Sequence, residues 1–199
     1  MKPNEVYQLL CQGKLTFAFD TNAVFGHHQF WRVCNKINQL NDKYHYEFNL
    51  TVSALVHTEK LFDLKQGLKE KYNLEIVTQA LISKRVSVKP FEVHHAEATA
   101  SLIGEQFITN DNWHQFKRQQ CIDCLGLQTR EDIPGKGKKC GATVDWFIVG
   151  HAYCEDYLLI SQDGGEEFNG IYKKTDLESL EAAVDQLTQK RQEEAMGKD

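Results

Sequence analysis

Four acidic residues stand where strands or helices could bring them to one site. Asp20 ends an apolar run at residues 15–19, and Asp163 follows a second run at 157–160. Glu59 and Asp145 lie in segments whose apolar residues have helical spacing. Because chemistry in open α/β sheets gathers at the carboxyl ends of the strands, we expect these carboxylates to converge at one edge of a sheet.

Clustered carboxylates repel one another unless a cation lies between them. Oxygen ligands of this kind suit Mg²⁺ or Mn²⁺ rather than zinc. One or two such ions could activate water and stabilise in-line displacement at a phosphodiester. The predicted chemistry is therefore metal-dependent cleavage of a nucleic-acid backbone.

Each acid also has a structural explanation. The run Asp20–Asn22 suits a turn or a helix N-cap. Glu59 lies on the apolar face of its helix and could form a salt bridge with a lysine or arginine. Asp145 lies in the first turn of a helix, where the helix dipole favours an acid. The prediction of a site depends on the four acids occurring together.

The elements that must position these acids alternate along the chain. Buried strands are predicted at 15–20 and 157–161, an alternating strand at 46–52 and a short extended piece at 86–91. Helical spacing predicts helices at 5–11, 28–40, 53–65, 66–83, 93–107, from 143 to about 152, and 176–193. This alternation predicts βαβ units and an α/β fold, with a central, mainly parallel sheet flanked by helices.

Composition narrows the class of protein. The 199 residues and the 41% apolar content fit one globular domain over 1–199, ending in a C-terminal helix and tail at 176–199. The chain has no apolar run of about 18 residues and no signal-peptide core at its N-terminus, which predicts a cytoplasmic protein without membrane contact. A net charge of -5 argues against broad, non-specific nucleic-acid binding, so contacts would need local basic patches or bridging metal ions.

Four short motifs together resemble those of the PIN-domain nucleases, and within them the VapC-type toxins of bacterial toxin–antitoxin pairs. They are Phe19–Asn22, Ser53 with Glu59 six residues later, Asp145 opening an apolar helix, and Leu158–Asp163. Each motif alone is weak, but the four occur in order within suitable predicted elements. The resemblance covers residues 14–107 and 141–180 and implies a PIN-like fold.

The resemblance implies a metal-dependent endoribonuclease that forms homodimers and is inhibited by an antitoxin protein. The residues that match the catalytic, metal-binding acids are Asp20, Glu59, Asp145 and Asp163. The spacing from Asp163 to Phe168 is slightly long for the family's pattern. Glu166 or Glu167 could therefore take the place of Asp163 as the fourth acid. Thr21, Asn22 and Ser161 match polar residues beside the acids, where they would contact substrate.

Residues 108–141 depart from the compact toxins. This polar segment is too polar to bury a core of its own, and a structureless loop of such length is uncommon in a compact domain. Cys121 and Cys124 have the spacing of a zinc knuckle, and Cys140 and His114 could complete a tetrahedral site. Free thiols and a redox pair are the alternatives. The other cysteines, Cys11, Cys34 and Cys154, and also His151, are predicted to lie in the core.

Basic residues in the same segment could contact phosphate groups of RNA, or could simply be solvated. They are Lys117, Arg118, Lys136, Lys138 and Lys139.

Two functions compete with the nuclease prediction. A haloacid-dehalogenase-type phosphatase also begins with an aspartate after its first strand, but it needs a second aspartate two residues later, where this chain has Asn22. A non-catalytic PIN-like module would bind RNA or protein through residues 108–141. The complete set of acids favours the nuclease.

Overall fold

A parallel sheet forms the centre of the molecule. The computed structural model describes residues 1–24, 28–68, 73–125, 142–165, 168 and 171–197, with the backbone alone at 66–68, 74, 118, 120–125 and 142–143. Its strands are β1 (Lys14–Phe19), β2 (Glu47–Ser53), β3 (Val86–Lys89), β4 (Leu158–Ile160) and β5 (Lys174–Thr175). They lie in the order β3-β2-β1-β4-β5, and each neighbouring pair is parallel. The predicted α/β class is confirmed.

Helices cover this sheet. They are α1 (Pro3–Leu10), α2 (Thr21–Val24), α3 (His28–Tyr44), α4 (Ala54–Leu68), α5 (Leu74–Ser83), α6 (Val93–Gln106), α7 (Asn110–Leu125), α8 (Ala142–Cys154) and α9 (Leu177–Met196). Helices α1 and α3 pack against α9, while α8 contacts α4, α6 and α7. Within the described ranges, every helix is too short or too polar to cross a membrane.

The central strands are apolar at successive positions because both faces of the sheet are covered. In β1, Phe17, Ala18 and Phe19 are all buried, and every residue of β4 is buried. Burying one phenylalanine or leucine side chain contributes about 1.5–3 kcal/mol. The strands on either side of the predicted site are therefore firmly anchored in the core.

An ion-pair network fastens α3 to α9. Glu181, which is 9% exposed, accepts hydrogen bonds from Arg32 (2.7 Å to Nη2), Lys36 (2.9 Å) and Gln29 (3.0 Å). The hydrogen bonds from Arg32, followed by those from Lys36 and Gln29, lower the pKa of Glu181 to about 2. These donors, two of them positively charged, stabilise the ionised Glu181 side chain although it is largely shielded from water.

The helix predicted over residues 66–83 is wrong in its first part. Helix α4 runs on to Leu68, and α5 begins only at Leu74. Asn73 starts α5, because its side-chain oxygen accepts a hydrogen bond from the Glu75 N–H (2.9 Å), a favoured N-cap arrangement. The helical spacing over 66–83 places Ile76 on the inward face, but in the structure it is 62% exposed near the start of α5.

The predictions for the core cysteines were partly wrong. Cys34 is buried, whereas Cys11 and Cys154 are exposed. Cys11 caps the end of α1 and Cys154 is the last residue of α8, so both lie beyond the parts of those helices that face the core. His151 is buried, as predicted, and is 3% exposed.

The segment after residue 107 begins as helix α7 and packs against the rest of the molecule. The rings of Trp113 and Phe116 lie 5.3 and 4.8 Å from that of Phe107, centroid to centroid. Trp113 also meets Trp146 of α8 edge-on at 5.9 Å. Helix α7 thus packs on the main body of the molecule through two aromatic residues among its polar ones, and the expectation that residues 108–141 bury no core of their own stays a prediction. Residues 126–141 lie outside the described residues.

Candidate active site

The carboxyl ends of β1, β2 and β4 lie side by side. Asp20 follows β1 directly, and its N–H donates a hydrogen bond to the Ile160 carbonyl (2.9 Å). The register of β1 with its neighbours puts Ser53 and Ser161 at the level of Asp20. Asp20 is thus centred at the edge where ligands bind in sheets of this type.

Asp20 is 2% exposed, and both of its carboxylate oxygens have donors. The Ser161 hydroxyl donates to Oδ2 (2.7 Å), and the Thr21 N–H donates to Oδ1 (2.6 Å). Burial nevertheless raises the pKa of Asp20 from 3.8 to about 6, with a further contribution from the charges of Asp163 and Glu59. Burial and the two like charges therefore outweigh the two hydrogen bonds that favour the ionised form of Asp20.

Thr21 links Asp20 to Glu59. Its backbone N–H donates to Asp20, and its hydroxyl donates to Oε2 of Glu59. Glu59 is half-buried in the second turn of α4, a helix that begins where the Val56 N–H donates to the Ser53 hydroxyl (3.2 Å). The observed donor to Glu59 is a hydroxyl, whereas the salt-bridge alternative required a lysine or arginine.

Ser161 is the centre of a second set of hydrogen bonds. Its oxygen accepts from the Asn22 side-chain amide (3.4 Å) and from the Asp163 N–H (3.1 Å). The Asn22 carbonyl oxygen in turn accepts from the Gln162 N–H (3.1 Å). Because Ser161 is 1% exposed, its hydroxyl orients Asp20 in this structure and is shielded from the solvent in which a substrate would arrive.

Asp145 is half-buried in the first turn of α8. Helix α8 packs beside β4 and ends in a tight turn just before it, in which the Tyr157 N–H donates to the Ala152 carbonyl (2.9 Å). The helix therefore runs back along the sheet and begins toward the edge at which the strands end. The next residue, Trp146, is 1% exposed and anchors this turn of α8 in the core.

Two of the other predicted acids, Asp163 and Glu59, lie close enough to Asp20 to raise its pKa. Asp163 is exposed, as expected of an acid that could meet a ligand from solution. The alternatives for the fourth acid, Glu166 and Glu167, lie outside the described residues.

The predicted sites in residues 108–141 are described only in part. His114 is exposed on α7, and the ammonium of Lys117 lies 5.0 Å from the centre of the Trp113 ring. Some side chains lie outside the described residues: Arg118, Cys121, Cys124, Lys136, Lys138, Lys139 and Cys140.

The donor set around Asp20 fits a hard divalent cation. The acids Asp20, Glu59 and Asp163 offer carboxylate oxygens, which Mg²⁺ and Mn²⁺ prefer over sulfur or nitrogen. The raised pKa of Asp20 shows that its charge is destabilised by burial and by two like charges, both of which a cation would offset.

A second cluster of ionisable side chains lies at the other end of α8. His94 and His95, at the start of α6, approach the same oxygen of Glu155, at 3.1 and 3.0 Å. Cys154 lies beside them. Sequence reasoning missed this cluster because its members come from two helices and share no motif spacing. The His94–His95 doublet was the available signal.

The solved structures that are similar to this chain include three VapBC complexes. VapBC2 from Rickettsia felis, bound to a DNA fragment from its promoter, has 16% identity and a TM-score of 0.48 over 81% of this chain and 98% of that one. DNA-bound VapBC from Salmonella typhimurium has 17% identity and a TM-score of 0.44 over 82% and 98%. VapBC-1 from nontypeable Haemophilus influenzae has 16% identity and a TM-score of 0.47 over 82% and 99%.

Neither a protein-family model nor a curated protein matches the sequence. Similarities as low as those to the three complexes carry no information on activity, so function must be argued from the residues of this chain.

Proposed function

We propose that this protein is a divalent-metal-dependent endoribonuclease of the PIN type. The observation that carries the proposal is the environment of Asp20, a buried carboxylate at a strand end with two other acids near it. Such an arrangement is costly for stability, because like charges and burial both oppose ionisation. A carboxylate site that binds a cation and a phosphodiester gives a physical reason for that cost.

In this proposal Asp20, Glu59, Asp145 and Asp163 hold Mg²⁺ or Mn²⁺. When bound, such an ion polarises the phosphodiester and helps to ionise a water molecule. The chain's own residues keep the carboxylates in place for this chemistry. Thr21 holds Asp20 and Glu59 at a fixed separation by donating to both of them.

The phosphatase alternative is not supported by Asn22. That class needs a second aspartate at this position, two residues after the first. Here the Asn22 amide is occupied, because its nitrogen donates to Ser161 and its oxygen accepts from the Gln162 backbone. Asn22 therefore supports the edge of the site as a structural residue.

The proposal extends to residues 108–141. We infer that the segment contacts RNA phosphates through its basic side chains, beginning with Lys117. We also infer that it holds a structural zinc ion through Cys121, Cys124, Cys140 and His114. Exposure of His114 on α7 leaves its imidazole available for that role. Elemental analysis of the purified protein, with and without a Cys121→Ser substitution, tests the zinc ion.

The resemblance of the four motifs to those of VapC-type toxins also suggests a cellular role and a partner protein. We propose that the protein is a toxin that acts as a homodimer on RNA and is neutralised by an antitoxin protein. Induced expression in a bacterial host should arrest growth through the acid site. Sedimentation equilibrium of the purified chain measures the homodimer directly.

The deciding experiment is RNA cleavage by the purified full chain and by Asp145→Asn. This substitution keeps the shape of the side chain and removes its charge. We expect the parent protein to cleave RNA with Mg²⁺ or Mn²⁺ and to be inactive with EDTA. We expect Asp145→Asn to lose at least about 100-fold in rate, the usual range for removing one transition-state-stabilising group.

Asp111→Asn is the matched control, because Asp111 also lies in the first turn of a helix but is exposed. Both variants lose the same dipole interaction of about 0.3–1 kcal/mol, so a difference in cleavage reflects the site itself. Full Mg²⁺-dependent activity in Asp145→Asn would show that Asp145 is not one of the metal-binding acids. A parent protein that cleaves no RNA with either metal would contradict the nuclease proposal.

A further inference from the structure

The cluster where α6 begins and α8 ends has the donor atoms of a transition-metal site. Among the residues that the structure describes, His94, Cys154 and Glu155 are the group of three whose ligand atoms all lie within 4.8 Å of one another. They offer one imidazole nitrogen, one sulfur and one carboxylate oxygen. Zinc accepts all three donor types, whereas Mg²⁺ and Ca²⁺ require oxygen alone.

Glu155 is already oriented by its neighbours. The Glu92 N–H donates to Nδ1 of His95 (2.8 Å), so the proton of a neutral His95 ring is on Nε2. That nitrogen donates to Oε1 of Glu155 (3.0 Å), while the Tyr157 hydroxyl donates to Oε2 (3.3 Å). Hydrogen bonds of this kind fix ligating carboxylates in metal sites and raise their affinity.

The supporting residue His95 is 3% exposed, so its ring cannot turn away into solvent. It is confined between His94 and His151, whose ring centres lie at 3.9 and 4.3 Å. The three candidate ligands are more exposed, which leaves an approach for an ion and room for a water ligand. A rigid supporting residue under accessible ligands is the usual arrangement of a preformed site.

Close packing of the two helices holds the donors together. Gly150 of α8 lies against Thr99 of α6 so closely that no side chain fits between them. Cys154 follows Gly150 by one helical turn, and the Cys154 thiol lies 3.9 Å from the His94 carbonyl oxygen. The position of each donor is therefore set by the helix contact.

We propose that His94, Cys154 and Glu155 bind a divalent transition-metal ion of the zinc class, which links the start of α6 to the end of α8. This site is separate from the acid site. Asp145 and Cys154 are nine residues apart on α8, a separation of about 13 Å along the helix axis. The bound ion leaves a fourth position for water, since three protein ligands complete only part of a tetrahedron.

Cobalt is the probe, because a thiolate bound to Co²⁺ gives a sulfur-to-metal charge-transfer band. The full chain with Cys121→Ser, Cys124→Ser and Cys140→Ser removes the thiols proposed for the other zinc ion. With Co²⁺ we expect this chain to show a charge-transfer band of single-thiolate intensity, which excess Zn²⁺ abolishes. Any Co²⁺ at the acid site has oxygen ligands and gives no such band. Adding Cys154→Ser should abolish the band, and adding Cys11→Ser, another exposed thiol, should leave it unchanged.

His94→Ala and the matched control His28→Ala test the nitrogen ligand. We expect His94→Ala to weaken Zn²⁺ binding by at least about tenfold, in line with the 10- to 100-fold cost of disturbing metal sites. His28, an exposed residue at the start of α3, should have no effect. Zinc should also raise the melting temperature of the parent chain, because an ion that binds only the folded state stabilises it. Cys154→Ser should reduce that rise.

If the triple serine variant does not fold, the comparison is made in the wild-type chain. There Cys154→Ser should lower the number of bound Co²⁺ ions by one without changing the others. A charge-transfer band that keeps its full intensity when Cys154→Ser is added, in either background, or an equal metal count in the two wild-type-background proteins, would overturn the proposal.

Discussion

At the scale of single residues, Asp20 combines two opposing requirements. Its oxygens receive donors from Ser161 and Thr21, which favour the charged carboxylate. Burial and the neighbouring acids outweigh these donors and raise its pKa to about 6. Without a cation, the folded protein therefore binds a proton at Asp20 more tightly than the unfolded chain does.

We expect Asp20→Asn to stabilise the metal-free protein in a pH-dependent way. The contribution of the protonated Asp20 carboxyl to the free energy of unfolding is fully present below pH 3.8. It is lost as the pH rises through the folded-state pKa of about 6. Because two pKa units correspond to about 2.7 kcal/mol, the free energy of unfolding of Asp20→Asn should exceed that of the parent by roughly 2–3 kcal/mol at pH 8. The difference should vanish near pH 4.

Urea unfolding in EDTA between pH 4 and pH 8 measures this difference. Asp111→Asn, at an exposed position, serves as the control and should show no such pH trend. An Asp20→Asn protein that is less stable than the parent at every pH would show that hydrogen bonding to the carboxylate outweighs its burial.

The individual acids could be predicted from sequence, but their connections could not. Asp20 was recognisable because it follows a short apolar strand. The hydroxyl of Ser161 reaches Asp20 across 141 positions of sequence, through a register that local patterns do not encode. Glu59 was predicted from its place on an apolar helix face, and only the fold reveals Thr21 as its donor.

At the scale of elements, the α6–α8 pair shows how closely two helices can approach. A Cβ atom on Gly150 would lie 1.9 Å from the Thr99 hydroxyl oxygen and 2.9 Å from the Thr99 Cα. Thr99 cannot easily move, since it is 1% exposed and its hydroxyl donates to the His95 carbonyl (2.8 Å). This contact joins the helix of Asp145 to the helix of the two histidines.

We expect Gly150→Ala to destabilise the fold by about 1–3 kcal/mol, the usual cost of overpacking a well-filled contact. Gly104→Ala is the matched control in α6, because a Cβ atom there would meet nothing within 4 Å. A glycine in an exposed helix costs about 0.5–1 kcal/mol relative to alanine, so Gly104→Ala should be slightly stabilising. Thermal unfolding of both variants measures the difference, and equal melting temperatures would contradict the close contact.

Helices and strands could be predicted where the apolar periodicity was strong. They could not be predicted where a single N-cap residue set the helix boundary. The apolar runs at 15–20 and 157–161 correspond to β1 and β4, and their parallel pairing follows from the alternation of strand and helix. The division between α4 and α5 depended on Asn73 acting as an N-cap, which competes with a continuous apolar stripe. Helix α7 was missed because its inward face carries few apolar residues.

At the scale of the whole molecule, charge and architecture must be reconciled with an RNA substrate. The chain carries a net charge of -5, and the proposed site adds acids at its centre. An anionic polymer would be repelled from that edge without metal ions and without nearby lysines or arginines. Helix α7 packs on Trp146, the residue after Asp145. Residues 108–141, which carry the basic side chains proposed to contact RNA, therefore begin beside the proposed site.

We expect Trp113→Ala to release α7 from the molecule. Trp113 is only half-buried, so its loss should lower the free energy of unfolding by about 2 kcal/mol, less than the 3–5 of a buried aromatic residue. Cleavage by trypsin after Lys117 should become faster, and RNA affinity should fall as Lys117 loses its position over the ring. Gln115→Ala, at an exposed residue of the same helix, should leave trypsin cleavage unchanged. Equal cleavage rates in the two variants would show that the aromatic contacts do not hold α7 in place.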